Sequence, residues 1–366
     1  MGKAEPHIRS APELRRRLLA WYEANRRDLP WRGARDPYAI WVSEIMLQQT
    51  RVAAVVDRYR AFMARFPTVG ELARAAEQEV LAQWSGLGYY RRARMLRQAA
   101  RQLMQERGGA LPQSADELRA VPGIGAYTAA AIASIAHGQA VAVVDGNVER
   151  VLCRLAGWDA SAGAGKSALR RRIGGLAAQW VDPVRPGDFN QAIMELGATV
   201  CLPRNPKCPQ CPLWASCVTR GEHKTAPRAR IETRDAGFAL CVRGARASRP
   251  AVLLEQRPAA ESVMPGLWQL PALRETELAP GLIAITLRHA IMQINYRVRI
   301  RKVAQQKVTD LTRKSGRRRW VQVAELPQMA LTGLARKVLS RAHLMPAHGF
   351  APDDGSLGVG SSKSHS

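Results

Sequence analysis

Four cysteines stand within one short stretch, LGATVCLPRNPKCPQCPLWASC, at the spacing Cys201-x6-Cys208-x2-Cys211-x5-Cys217. Four thiolates in one Pro-rich loop can converge on a single soft metal centre. A structural zinc also takes four thiolates, usually from two C-x2-C knuckles. Only Cys208 and Cys211 form such a knuckle here, and the uneven outer spacers suit a cubane iron–sulfur cluster at least as well as zinc. Cys153 and Cys241 lie far outside this loop and read as small buried hydrophobes.

Two carboxylates sit in unusual company. Glu44 lies in VSEIMLQQT among apolar neighbours, where a carboxylate is costly unless paired or protonated; on an ordinary amphipathic helix it would instead face solvent. Asp145 opens DGNVERVL, where it or Asn147 would cap the helix that follows. Between the two carboxylates, Val121-Pro-Gly123-Ile-Gly125-Ala-Tyr127 places two glycines two apart between helical segments. The glycines allow a sharp turn, and the backbone N–H groups opening the second helix form a ready anion site. This is the helix-hairpin-helix pattern, which can hold a DNA phosphate without reading sequence.

The elements that must position these residues follow from periodicity. From Pro12 to Leu196 the apolar spacing is helical, as in Leu14, Leu18, Trp21 and Tyr22. Segments broken by Gly, Pro or polar residues follow it: 40–49, 52–66, 77–84, 92–106, 115–120, 126–136, 147–155, 166–180 and 189–196. Beyond the Cys loop the period changes. Phe238–Val242, Val252–Gln256, Ile283–Leu287, Ile291–Val303 and Arg319–Val323 read as strands of an antiparallel sheet, closed by a helix over Leu331–Ala342. The expected organisation is a helical domain over 10–217, a polar linker over 218–235, a smaller α+β domain over 236–345 and a disordered Gly/Ser-rich tail over 346–366.

Charge narrows the partner. The 366 residues carry 55 Lys and Arg against 30 Asp and Glu, a net charge of +25, and hydrophobic residues make up 46%. That apolar content excludes wholesale disorder. The cationic excess points to nucleic acid, although an Arg-rich, Ala-rich composition can also reflect the genome. Residues 228–345 alone hold 22 basic and 8 acidic residues. No apolar run approaches the 18 residues that cross a bilayer, and the N-terminus has no uninterrupted apolar stretch of the signal-peptide kind. The expectation is a cytoplasmic chain, where metal or redox use of cysteine ranks ahead of disulfides.

In combination, VSEIMLQQT, GLGYYRRAR, VPGIGAYTAAAIASIA, VVDGNVERVLCRL and the four-Cys loop resemble the MutY-type adenine DNA glycosylases of the endonuclease III superfamily. The likeness is dense over 12–218 and weaker to about 345. It implies a mainly α, two-lobed helix-hairpin-helix glycosylase domain with a [4Fe–4S] cluster on Cys201, Cys208, Cys211 and Cys217. It also implies a Nudix-like α+β C-terminal domain, and removal of adenine mispaired with 8-oxoguanine from double-stranded DNA by a nucleoid-associated monomer. By similarity Glu44 is the proton donor, Asp145 stabilises the sugar cation, and Tyr127 and Asn147 support them. Trp31 and Arg32 line the adenine pocket, Gln49 and Tyr89 fill the opened stack, and Thr50 and Leu87 touch the lesion strand.

The chain departs from that pattern in one place. Where the family has F-S-H against the oxidised base, this sequence has Leu287-Arg288-His289, so His289 is kept and Arg288 replaces a small hydroxyl. Two weaker motifs carry nothing. Ala160–Ser167 approaches a phosphate loop, but no strand precedes it. Gly266–Pro271 (GLWQLP) has the Nudix look without the acidic box that would hold Mg²⁺. A bifunctional lyase of the endonuclease III kind needs a Lys amine; its position is Tyr127 here, and the Lys residues before 200 are Lys3 and Lys166 alone. A non-catalytic iron–sulfur DNA-binding protein would not need Glu44 and Asp145 together.

Overall fold

The structure, a computed structural model, describes residues 11–159, 166–223, 232–244, 249–291, 294–312 and 316–345. Most of the Ala160–Ser167 loop, the middle of the expected linker and the tail from 346 lie outside the described residues. The chain divides into two compact units, one of Met1–Arg234 with Ala290–Tyr296, the other of Asp235–His289 with Arg297–Ser366.

The first unit is helical: α1 (Ala11–Asn25), α2 (Pro37–Leu47), α3 (Val52–Arg65), α4 (Val69–Arg74), α5 (Glu77–Gln83), α6 (Arg91–Arg107), α7 (Ala115–Leu118), α8 (Ala126–His137), α9 (Gly146–Ala156), α10 (Lys166–Trp180) and α11 (Pro186–Thr199). One core gathers Leu14, Leu18 and Tyr22 of α1 with Val151 and Leu152 of α9, Ile173 of α10 and Phe189, Ile193 and Leu196 of α11. Helices α2 to α8 form the other group, with α2 packed on α8 and α4 on α6. Helix α2 starts sharply because Asp36 caps it, accepting from the Tyr38 and Ala39 amides at 3.0 and 3.2 Å, and because Pro37 supplies its first residue. Every residue from Tyr38 to Met46 is buried, so α2 runs through the interior and carries Glu44 with it. No described helix is long and apolar enough to cross a membrane.

Helix α4 was absent from the periodicity reading, being too short to show a stripe. Its start is nonetheless written in the sequence as Thr-x-x-Glu: the Thr68 hydroxyl accepts from the Glu71 amide and donates to the Glu71 carboxylate.

The second unit is α+β. Strand β1 (Glu232–Leu240) begins inside the span expected as linker, which is therefore shorter than the sequence suggested. Strands β1, β6 (Ile294–Lys302) and β5 (Ile285–Ile291) form one sheet in that order. In the other sheet β3 (Ala251–Gln256) pairs antiparallel with β2 (Val242–Arg243), β4 (Trp268–Gln269) and β7 (Arg317–Gln322), with Val252 opposite Val321 and Leu253 opposite Trp320. Ala239, Cys241, Leu253, Leu273, Val303 and Val308 build a core here. The expected strands Ile283–Leu287 and Ile291–Val303 correspond to β5 and β6, which start two and three residues later than expected. Alternation cannot place a strand end where both faces are half-buried. A short helix α12 (Val308–Leu311) precedes β7, and the closing helix α13 (Gly333–Arg341) is capped by Thr332 on the Ala335 amide.

Candidate active site

A cavity of about 570 Å³ opens in the helical unit, bounded by α2 and α8, by α11 and by the loop that enters α9. Glu44 reaches it from the interior helix and is 6% exposed. Its Oε2 accepts a hydrogen bond of 2.7 Å from the Tyr127 hydroxyl, which also lies 3.4 Å from Met194 Sδ. Burial pushes the Glu44 carboxyl above its ordinary range. The Tyr127 hydrogen bond and the charge of Arg32 pull the other way, while Asp145 adds to the rise. Burial and then Glu44 hold the Tyr127 phenol well above its own ordinary range, so it remains a donor.

Asp145 faces the same cavity as the N-cap of α9. One carboxylate oxygen accepts from the Val148 amide at 2.7 Å and the other from Asn147 Nδ2 at 2.9 Å. The order extends outward: Arg150 donates to Asn147 Oδ1 at 2.9 Å, to Gly197 O at 2.7 Å and to Cys201 O at 2.8 Å. Helix α11 can approach this corner only because residue 197 is glycine; a Cβ there would stand 2.7 Å from Asn147 Cβ. The two donors fix the Asp145 carboxylate in place at the cavity wall, where it could face a cation developing there.

Trp31 is buried against Tyr59, edge to face at 5.4 Å. Arg32 is fixed too: it donates to Gln191 and, at 2.8 Å, to Glu195, both on α11. Glu195 also takes hydrogen bonds from Arg27. Burial works to raise the Glu195 pKa, but the Arg27 hydrogen bond and the charges of Arg32 and Arg27 outweigh it and leave it below its ordinary value. Two buried carboxyl groups on one cavity are thus pushed in opposite directions, the arrangement by which one site holds an acid beside an anion.

The structure brings Trp31, Arg32, Glu44, Gln49, Thr50, Tyr127, Asp145 and Asn147 to this cavity. Leu87, Tyr89, Gly123 and Gly125 do not line it. Leu87 is buried at 5% exposure. Tyr89 is 47% exposed. Gln49 and Tyr89 both hold left-handed backbone, φ 56° and 47°, which non-glycine residues adopt at a cost seldom kept outside functional loops. Gly123 also needs its positive φ of 80°, and Gly125 leads into α8 with no side-chain cap on the first amides. Gln191, Glu195, Met194 and Arg27 escaped the sequence reading. The signal was there: Gln191 and Glu195 are four apart and so share one face of a helix whose residues are mostly buried.

The four loop cysteines are free thiols of intermediate exposure, and Cys153 and Cys241 are buried. Arg154 NH1 lies 3.3 Å from Cys201 Sγ, and the Arg220 amide lies 3.4 Å from Cys217 Sγ. Burial pushes the Cys211 thiol up to about 12, and the other three loop cysteines add to that rise. As the chain stands, no group of three or more His, Cys, Asp or Glu among the described residues is gathered tightly enough to hold a metal ion.

In the second unit, Arg288 is exposed on β5 and His289 is half-buried beside it. His289 packs toward Gly333 at the start of α13. Burial, followed by the charge of Lys337, pushes its imidazole down to about 4.

Comparison with known proteins agrees with the helix-hairpin-helix reading. Residues 42–174 match the HhH-GPD superfamily of base excision DNA repair proteins. The chain is 51% identical over 212 residues to the adenine DNA glycosylase of Homo sapiens, covering 56% of this chain and 38% of that protein. It is 44% identical over 197 residues to the adenine DNA glycosylase of Mycolicibacterium smegmatis, covering 54% and 66%. It therefore spans about two-fifths of the length of its mammalian relatives. Among solved structures, a thermostable thymine-DNA glycosylase matches with TM-score 0.53 at 29% identity, over 57% of this chain and 96% of that one. The resemblance read from the motifs is met by these relatives, and the fold of the helical unit is that of the HhH-GPD glycosylases.

Proposed function

We propose that this chain removes adenine from duplex DNA, opposite 8-oxoguanine or guanine, and leaves an abasic site with the strand intact. The observation that carries this reading is the pairing of Glu44 with Asp145 on one cavity: a buried carboxyl biased toward its acid form and a carboxylate fixed by two donors. A base inside a duplex cannot be attacked in the stack, so the nucleotide must turn out into the cavity. As the C1′–N9 bond breaks, its electron pair goes to the base, and the Glu44 proton passes to a ring nitrogen so that adenine departs neutral. Asp145 stands against the positive charge left on the sugar. Water adds at C1′, and its proton returns to a carboxylate. The related thymine-DNA glycosylase fold does not by itself choose the base; the adenine reading is supported by the named relatives at 36–51% identity.

The four loop cysteines would hold one [4Fe–4S] cluster. The donor set supports this: four unpaired thiols in one short loop, already facing a guanidinium and an amide N–H of the kind that tune cluster sulfur. When bound, the cluster would serve as a fixed, cationic-side-chain-rimmed brace at the end of α11. No proton or electron of the base-removal chemistry passes through it.

The second unit, Nudix-like in its α+β composition, would clamp the DNA near the opposite base. Arg288 supports a phosphate or base-edge contact in place of the hydroxyl, and neutral His289 can donate or accept. Discrimination between 8-oxoguanine and guanine is then weaker than in an F-S-H enzyme. The test is one assay on an adenine:8-oxoguanine duplex. Clean abasic product supports the reading, strand-cleaved product favours a lyase, and no product favours a non-catalytic DNA-binding role.

A further inference from the structure

Arg92 occupies the second position of α6, where a cation opposes the helix dipole and where Arg91 beside it doubles the opposition; no acidic residue lies in that first turn. A sequence rule broken at this spot calls for a compensating gain. The guanidinium lies beneath two loops. One nitrogen donates to the carbonyls of Ile45, Met46 and Gln48 at 2.8, 3.0 and 2.5 Å. These are carbonyls at the end of α2, which the helix itself leaves unpaired. The other donates to Leu87 O at 3.0 Å, Gly88 O at 3.1 Å and Thr50 Oγ1 at 3.1 Å. The plane also sits 5.3 Å from the Trp84 ring and 5.6 Å from that of Tyr89. Its Nε is buried without a partner. Burial lowers its pKa to about 10, which still leaves it charged at neutral pH.

We propose that Arg92 is a positioning residue that locks the loop after α2 and the loop before α6 into one wedge, so that Gln49 and Tyr89 enter the duplex together. The proposal rests on the reading above that these two side chains meet DNA. Both hold left-handed backbone next to the clamped carbonyls, and Glu44 lies one turn back on the helix whose end Arg92 fastens. Opening the stack and presenting the acid are thereby mechanically joined. A lysine keeps the charge at this position but cannot fork across both loops.

The experiment measures affinity for a duplex whose mispaired adenosine carries a 2′-fluorine, so that the sugar–base bond survives, at fixed salt. Wild type, Arg92→Lys, Tyr89→Ala and the double variant are compared as a cycle. Each single change is expected to weaken binding by about 10-fold or more, the scale of coupled contacts, and the double to lose no more than either. Hydrogen exchange at 48–50 and 87–90 should quicken together in Arg92→Lys while the melting temperature holds. Losses that multiply, or a lysine variant that binds like wild type while Tyr89→Ala does not, would overturn the clamp and leave the duplex reading intact. Wild-type binding by Tyr89→Ala would overturn both. A lowered melting temperature with uniformly faster exchange would mark Arg92 as a fold residue and also overturn the clamp. If Arg92→Lys does not fold, Thr50→Val replaces it in the cycle: a smaller loss that fails to add to Tyr89→Ala supports the clamp, and additivity overturns it.

Discussion

Glu44 concentrates the conflict between stability and chemistry. Its pKa stands above the ordinary 4.5 because burial penalises the charged form. Below about 4.5 the carboxyl is neutral in the folded and unfolded chain alike, so it costs nothing. As pH rises from there through the raised folded value, the unfolded chain ionises first and the fold loses stability, a penalty fully present above that value. Glu44→Gln is therefore expected to melt higher than wild type at neutral pH, with the difference closing as the pH falls below about 4.5. The same change should slow single-turnover excision by about 10²–10⁴-fold, the ordinary worth of a general acid. A glutamine variant that excises at the wild-type rate would remove Glu44 from the role of donor. Tyr127 tunes the same proton. Tyr127→Phe deletes a hydrogen bond that favours the charged carboxylate, so the alkaline fall in excision rate should move to higher pH. Tyr127→Lys places an amine at the lyase position and should yield borohydride-trapped protein–DNA adduct that wild type does not give.

At the scale of elements, Asp145 caps α9 and, on the proposed reading, also serves the reaction, and substitutions separate the two. Asparagine caps nearly as well as aspartate, whereas alanine leaves the α9 amides open at a cost of about 1 kcal/mol. Asp145→Asn and Asp145→Ala should both lose excision, while thermal melting falls only for alanine. For the cysteine loop, Cys208→Ser should lose iron on metal analysis and Cys153→Ser should keep it; stoichiometric zinc in wild type would replace the cluster reading. Helices such as α6 and α9 were readable because an apolar stripe runs along each and a left-handed glycine, Gly108 or Gly157, ends it. The hairpin was readable because its glycine spacing is itself the geometry of the turn. Glu44 was ambiguous from amphipathicity, which has no meaning for α2, buried on every side. Glu195 and Arg92 were opaque for another reason. Their roles lie in partners 168 and 42–47 residues away in the chain, and no local pattern reports such a pairing.

Across the whole molecule, the net +25 predicts binding whose logarithm falls steeply and linearly with log salt. On the proposed reading, Arg288 is one place where that charge meets specificity. Arg288→Ser should raise the preference for 8-oxoguanine over guanine and leave the excision rate opposite guanine nearly unchanged; an unaltered preference would show that β5 does not read the opposite base. The cationic character has a further property, since Lys supplies only nine of the 55 basic residues and the rest are Arg. An abasic site spends part of its time as an open-chain aldehyde. A lysine pressed against it would condense to an imine, and the strand would then break by β-elimination. Guanidinium groups stay protonated and do not condense in this way. On the proposed reading, a helical unit that grips DNA almost wholly through arginine would hold its own reactive product for long periods without breaking the strand.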